Sequence, residues 1–427
     1  MQTPSHLDKI NIITNNDGIF NVYIYVQAGP IYERKGIFGI SHFLEHMLMK
    51  RTKKYDMKEL YKKMTFIGGM NNAGTYKDVT YYYICTHVDN YKDAVDMIKS
   101  IVTEPKFTKE EMEMEKKVVL EELATRLDSI DDQLYFKSTF TVLPSSNEYS
   151  RRIIGKAKDI KGITIDDLNA YYKKTYSKYI VIANVDKKHL KEVEPYLIKT
   201  FGKNIPVDFT HSKEQNLTFQ AINKKPKILI LEKDTLIQYS TIMAFPTPSI
   251  YDVKKRVVIN FIRFILTSSG SNSILFQKLR EERGLIYSIH TICEDHRGQC
   301  ILRITYSSSN EDTKFIMSLI MDCIEDLKNK DLENLEYWKD SMVNKNKYLF
   351  SNVGVKEAWY CNIIFYQINI TQEEFFKYIS GITAEDVKIV TKELFDFSRM
   401  GVSTLGNYKN ADKLTKEIED LRKTYQK

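Results

Sequence analysis

The sequence is poor in several features that would each announce a class of protein. Cysteines number only five in 427 residues, and Cys85, Cys293, Cys300, Cys323 and Cys361 follow no framework spacing. That odd, scattered set argues against a disulfide scaffold and fits a reducing compartment. The longest apolar runs, such as Tyr179-Ile180-Val181-Ile182-Ala183, are of strand length. A bilayer span needs about 20 residues, so no membrane association is expected. Met1 to Asn11 has neither the apolar core of a secretory signal nor the Arg-rich amphipathic pattern of a transit peptide, and a cytoplasmic protein is the expectation. Charge is not concentrated either: Lys plus Arg is 63 and Asp plus Glu is 56, leaving +7 over the whole chain. No basic block interleaved with aromatics stands out, so no nucleic-acid partner is expected. Lys224-Lys225-Pro226-Lys227 reads as solvated linker.

What is there suits an ordinary globular protein, with 43% hydrophobic, 12% aromatic and 28% charged residues. The length exceeds what one compact core usually holds, so two domains are expected. Strand and helix patterns alternate throughout, which gives an α/β or α+β architecture. The halves also resemble each other. Gly162-Ile163-Thr164-Ile165-Asp166-Asp167-Leu168 recurs as Gly381-Ile382-Thr383-Ala384-Glu385-Asp386-Val387, an offset of 381 − 162 = 219. In each copy the Thr is placed to cap a helix with acids in its first turn, and a strand follows, Tyr179 to Val185 and Met400 to Leu405. A helix near Met57 to Met64 leads into a hairpin ending at Thr80 to Cys85. Its counterpart, Ser273 to Arg283, stops at Gly284 before the hairpin Leu285 to Cys293 and Cys300 to Tyr306. The pattern is a tandem duplication: one domain over 1–205, a polar linker over 206–227 holding Pro206 and Pro226, and a second domain over 228–427.

The chemistry concentrates in His42-Phe43-Leu44-Glu45-His46. His42 and His46 are four apart, which at about 100° per residue puts both imidazoles on one helix face. So placed, they can converge on one tetrahedral zinc at about 2.0–2.1 Å. Glu45 then sits beside the metal, able to take a proton from an attacking water and pass it to a leaving amine. A third ligand is required, and the acidic helical stretch Thr108 to Leu127 is the candidate source. There Glu115 and Glu122 are seven apart on one face, with Val118 and Val119 between them on the same side. A carboxylate on an apolar face is costly unless paired or bound to metal. Glu110, Glu111, Glu113 and Glu121 read as solvated. A competing set, Cys293, His296 and Cys300, straddles the turn Asp295-His296-Arg297-Gly298 without a fourth ligand nearby and reads as a hairpin with core cysteines.

H-x-x-E-H reverses the common zincin order and is the inverzincin signature. The segment Gly39-Ile40-Ser41-His42-Phe43-Leu44-Glu45-His46-Met47 resembles the insulinase/pitrilysin metallopeptidases. Val118-Val119-Leu120-Glu121-Glu122 is similar to the segment that carries that family's third ligand, and 122 − 46 = 76 suits its spacing. The resemblance therefore implies Glu122 as the ligand and Glu115 as the acid that orients a ligating His through its other ring nitrogen. It implies that the segment around Gly68-Gly69 and Asn72-Ala73 is the edge strand that pairs with the substrate backbone. It also makes Arg280 and Tyr287 a pair that contacts substrate and steadies the developing oxyanion. The length resembles the short subfamily that includes mitochondrial processing peptidase and its bacterial relatives.

The implied fold is α+β, with two homologous domains, each a largely antiparallel sheet flanked by helices. The implied activity is zinc-dependent endopeptidase action on peptides or unfolded segments inside a closed chamber, by a homodimer or a heterodimer with another insulinase-like chain. The alternative is a non-catalytic or weakly active partner subunit or scaffold. Two features depart from the family: Met49-Lys50-Arg51-Thr52 stands where many relatives have F-K-G-T, and the glycine-rich loop of the processing peptidase's non-catalytic partner is absent. The second half lacks metal residues at the repeat position, since 42 + 219 lands on Phe261, within the apolar stretch Val257 to Leu266.

Overall fold

Alternating apolar residues bounded by turns build a five-stranded sheet from each half of the chain. The computed structural model describes residues 7–203, 205–207, 222–247, 252–296, 300–309 and 312–426. The linker expected over 206–227 therefore lies largely outside the described residues. The first sheet contains β1 (Ile10–Asn15), β2 (Ile19–Val26), β3 (Met70–Thr75), β4 (Thr80–His87) and β5 (Tyr179–Asp186), in the order β1-β5-β2-β4-β3. The second contains β6 (Ile228–Glu232), β7 (Tyr239–Thr247), β8 (Ser288–Asp295), β9 (Cys300–Ser308) and β10 (Gly401–Gly406), in the order β6-β10-β7-β9-β8. Each has one parallel pair, β1 with β5 and β6 with β10, and is otherwise antiparallel. Replacing every strand by its repeat counterpart turns one order into the other, so the duplication inferred from sequence is also a duplication of topology.

The repeated caps form as their spacing requires. Thr164 accepts from the Asp167 amide at 3.1 Å and Thr383 from the Asp386 amide at 3.0 Å, and each acid side chain reaches back to its Thr. One element is less regular than its pattern. The helix expected over Ser273 to Arg283 is a single α-turn, Ile274–Phe276, followed by a π-turn, Gln277–Glu281, before Gly284 at φ 62° ends it. Helix Val253–Arg263 carries Phe261, fully buried, at the repeat position of His42. Among the described residues, no helix is long and apolar enough to cross a membrane.

The chain packs as two compact units that are not simple halves. Unit 1 draws on Met1–Arg126, Arg151–Lys213 and Lys356–Asn369, and unit 2 on Leu127–Ser150, Glu214–Val355 and Ile370–Lys427. Unit 1 contains α1 (Ile40–Leu48) and nearly all of α2 (Lys109–Asp128), the two helices that matter below. Helix α3 (Ile130–Val142), from the first half of the chain, belongs to unit 2, whereas most of α4 (Val353–Phe365), from the second half, belongs to unit 1. Their starts differ by 353 − 130 = 223, close to the repeat offset, so each half gives the same helix to the other's sheet.

Polar pairs fix both placements. On the first sheet, Glu357 of α4 is buried and accepts from Asn21, Asn184 and the Tyr23 hydroxyl, the last at 3.1 Å. On the second, Arg303 of β9 is fully buried and donates to Ser138 Oγ at 2.8 Å and Thr139 Oγ1 at 2.9 Å on α3. Gly401 at the start of β10 lets α3 approach, because a Cβ there would lie 2.0 Å from Thr141 Oγ1.

Candidate metal centre

Helix α1 is held before it is used. Its apolar residues Ile40, Phe43, Leu44, Met47 and Leu48 are all buried in the core of unit 1, and this burial fixes the rotation that brings His42, Glu45 and His46 together. Its entry is built by Gly39 at φ 98°, where a Cβ would meet Ile154 O at 2.5 Å. The first turn is capped by a carboxylate from upstream. Glu33, 5% exposed, accepts from the Gly39 amide at 2.8 Å, the Ser41 amide at 2.9 Å and Ser41 Oγ at 2.7 Å. Burial raises the Glu33 pKa against the pull of those three donors. In the Glu33→Ala protein those buried donors lose their acceptor, and a stability loss of about 3 kcal/mol is expected as a lower urea midpoint. An unchanged midpoint would refute that role.

The two histidines and one downstream glutamate converge. His42 Nε2 lies 3.6 Å and His46 Nε2 3.7 Å from the same oxygen of Glu122, Oε2. The ligand atoms of His42, His46 and Glu122 all lie within 4.8 Å of one another, the one such metal-capable group among the described residues. These separations are too long for hydrogen bonds. They are close to the roughly 3.3 Å that separates ligands held about 2.0–2.1 Å from one tetrahedral ion.

The remaining atoms of the set are already positioned. His46 Nδ1 meets Glu115 Oε1 at 2.8 Å, so its Nε2 is free to face the site. Lys50 Nζ holds the other Glu115 oxygen at 2.7 Å, and Arg126 Nε holds Glu122 Oε1 at 3.0 Å. Glu45 is steadied by Thr75 Oγ1 at 2.5 Å, from the end of β3. His42 Nδ1 is buried with no hydrogen-bond partner.

Electrostatics favour a divalent cation here. Burial, then the charge of His46, lowers the His42 pKa to about 4, so this imidazole is neutral with a free lone pair near neutral pH. Burial raises the Glu45 pKa, an effect that the Thr75 hydrogen bond opposes. Burial disfavours charge on His46, but the hydrogen bond to Glu115 and the nearby Glu45 outweigh it and raise its pKa. Burial likewise opposes ionisation of Glu115, yet its bonds to His46 and Lys50 lower its pKa on balance. One carboxylate and two imidazoles thus converge, a donor set whose hard and borderline ligands match zinc, with Glu45 and Glu115 beside it.

Sequence reasoning missed the residues that do the holding. Lys50, Arg51, Thr75, Arg126 and Glu33 carry no motif. Arg51 bonds Glu111 Oε1 at 2.8 Å and so ties the exit of α1 to the start of α2. That corrects the reading of Glu111 as solvated, whereas Glu110, Glu113 and Glu121 are exposed as expected. Val118 is corrected too: it is 51% exposed, and Val119 alone turns inward between Glu115 and Glu122. Positions 118 and 119 lie about 50° to either side of the axis through 115 and 122, and only the side of 119 meets the core.

The strand carrying Asn72 and Ala73 is β3, which among the described residues pairs only with β4 and leaves its other edge open. In unit 2, Arg280 NH1 donates to the Tyr287 carbonyl at 3.0 Å and its guanidinium lies over the Tyr287 ring at 5.3 Å. Tyr287 is 72% exposed. Of the competing set, Cys293 and Cys300 both receive Arg256 of unit 2, at 3.2 and 3.5 Å, while residues 297–299 of the turn lie outside the described residues.

Comparison with known proteins places this geometry. The family model for insulinase (peptidase family M16) matches residues 11–155, and that for the peptidase M16 inactive domain matches residues 162–341. The chain belongs to the insulinase (M16) family. It is 26% identical over 408 residues to an uncharacterized zinc protease of Rickettsia bellii, covering 91% of this chain and 93% of that one. It is 24% identical over 415 residues to an uncharacterized zinc protease of Bacillus subtilis, covering 93% and 96%. Among solved structures, a protease from Helicobacter pylori superposes with a TM-score of 0.82 at 19% identity, covering 94% of this chain and 99% of that one. A peptidase M16 inactive domain from Pseudomonas fluorescens does so with a TM-score of 0.78 at 18% identity, covering 93% and 96%. These likenesses establish the fold.

Proposed function

We propose that the protein is a zinc-dependent endopeptidase that cleaves peptides or unfolded segments. The observation that carries this reading is the convergence of His42 Nε2, His46 Nε2 and Glu122 Oε2, with Glu45 one residue before His46 and tethered by Thr75. His42, His46 and Glu122 would hold the ion, and Glu115 fixes the His46 ring. Bound zinc supplies Lewis acidity that makes water a nucleophile near neutral pH. Glu45 takes the proton as water attacks the peptide carbonyl and returns it to the departing amine. The substrate backbone pairs with the open edge of β3 at Asn72 and Ala73. Tyr287 of the same or a partner chain, steadied by Arg280, donates to the developing oxyanion. One chain carries both the metal set and the Arg280/Tyr287 pair, so a homodimer is the simplest assembly, and a second insulinase-like chain is the other candidate.

The test is zinc content together with cleavage of an unstructured peptide library. The wild-type protein is expected to hold one zinc per chain and to cleave, and Glu122→Ala to lose both metal and activity. A zinc-loaded protein that cleaves nothing, alone or mixed with candidate partner chains, would sink the peptidase reading and favour a non-catalytic subunit.

A further inference from the structure

Tyrosines collect on one face of the first sheet and run out to its open edge. On β2 and β4, Tyr23, Tyr25, Tyr81 and Tyr83 alternate with the buried Ile24, Tyr82 and Ile84 of the opposite face. Their rings stack in pairs, Tyr23 on Tyr83 at 5.3 Å and Tyr25 on Tyr81 at 5.5 Å. Tyr76, from the turn after β3, stacks on Tyr81 at 5.9 Å and 20° and is 52% exposed.

Gly74 of β3 is paired directly with Tyr81, and a Cβ on Gly74 would stand 2.9 Å from the Tyr81 ring. The ring therefore leans across the bare backbone toward the unpaired edge. Any side chain at position 74 would push it back.

Directly paired residues share a face of a sheet and their neighbours take the other. Gly74 thus belongs to the tyrosine face, while Thr75, whose hydroxyl bonds Glu45, belongs to the face of α1. A peptide added to the free edge of β3 follows the same alternation. The residue opposite Gly74 points over Tyr81 and Tyr76, and its neighbours point toward the metal helix.

We propose that Tyr76 and Tyr81, exposed to the edge by Gly74, form a side-chain subsite that takes an aromatic residue of the bound peptide. The surface offers ring faces and phenol hydroxyls. Glu45, the carboxylate whose charge acts on Tyr81, is tethered by Thr75 on the face of α1, while Asp78 is buried and accepts from Tyr366, and Glu357 is buried and accepts from Asn21, Asn184 and Tyr23. The proposal rests on the peptidase reading, in which β3 receives the substrate.

A set of peptides that differ at one residue, carrying Phe, Lys or Ala in turn at each position around the cut, tests it. At one position Phe is expected to exceed Ala in kcat/KM by about tenfold, the upper range of an aromatic pair. Tyr81→Ala should abolish that preference, read as the ratio of kcat/KM for the Phe and Ala peptides. Gly74→Ala, which leaves the rings in place chemically but displaces Tyr81, should weaken it. Binding of the same peptides to the zinc-loaded Glu45→Gln protein reads the subsite without turnover, and there too Phe should bind about tenfold more tightly than Ala in a Tyr81-dependent way. Cleavage with no aromatic preference, with a Lys preference, or with a preference that Tyr81→Ala leaves intact would overturn the subsite alone. Aromatic-dependent binding without cleavage by the wild-type protein would overturn the peptidase reading alone. Loss of both cleavage and aromatic-dependent binding would overturn both.

Discussion

The Glu45→Gln protein is expected to keep its zinc and to lose peptide hydrolysis by about a thousandfold, the middle of the range for a positioned general base. Glutamine preserves the shape of the side chain and can still receive the Thr75 hydroxyl at its amide oxygen. It cannot accept a proton from water at neutral pH. Glu45 is not among the three residues whose ligand atoms converge, so the ion should remain bound. The loss should fall on kcat rather than KM, because the proton moves only as the carbonyl is attacked. Metal content by elemental analysis and steady-state kinetics on one cleaved peptide are sufficient. Undiminished kcat in a zinc-loaded Glu45→Gln protein would remove Glu45 from the mechanism.

The second large effect concerns stability, and it lies far in sequence from the motif. Arg303→Met is expected to destabilise the protein by about 3–5 kcal/mol, the cost of deleting one member of a buried ion pair. Arg303 has no solvent exposure. Its guanidinium lies 2.8 Å from Glu294 Oε2 and 4.2 Å from the centre of the Tyr135 ring, in addition to its bonds to Ser138 and Thr139. Methionine fills most of the volume but leaves the Glu294 carboxylate and two hydroxyls of α3 without their shared donor. The double variant Arg303→Met/Glu294→Gln should recover part of the loss, since the stranded charge is then removed. A lowered urea midpoint for the single variant and a partial return for the double would establish the coupling. Equal midpoints for wild type and Arg303→Met would refute it.

Much of this was legible in the sequence because it is local. The paired Thr-x-x-Asp caps, the strand patterns and Gly284 depend on near neighbours, and each lies where its spacing requires. The convergence of His42, His46 and Glu122 was legible for a related reason. His42 and His46 share a helix face by arithmetic, and Glu122 follows from a second helical segment that resembles the family's own.

The supports were not legible, because they join elements distant in the chain. Thr75 meets Glu45 only once β3 is laid beside α1, and Glu33 reaches the α1 amides only through the bend at Gly39. Periodicity marks α3 and α4 as helices, but nothing in a single helix's pattern says which sheet it will cover. The π-turn at Gln277–Glu281 was hidden for a different reason: the buried Leu275 and Leu279 are four apart, a spacing that reads as an ordinary α-helix.

The reciprocal placement of α3 and α4 bears on how such a chain arose. Two copies of a domain that trade the same helix have the arrangement of a swapped homodimer, in which each protomer completes the other. Joining the protomers end to end would preserve the trade and yield this connectivity without rebuilding either sheet. It would also free the two copies to diverge: one keeps histidines on its metal helix, while the other places Phe261 in the equivalent position. Neither copy could then be lost, because each sheet is finished only by a helix encoded in the opposite half of the gene.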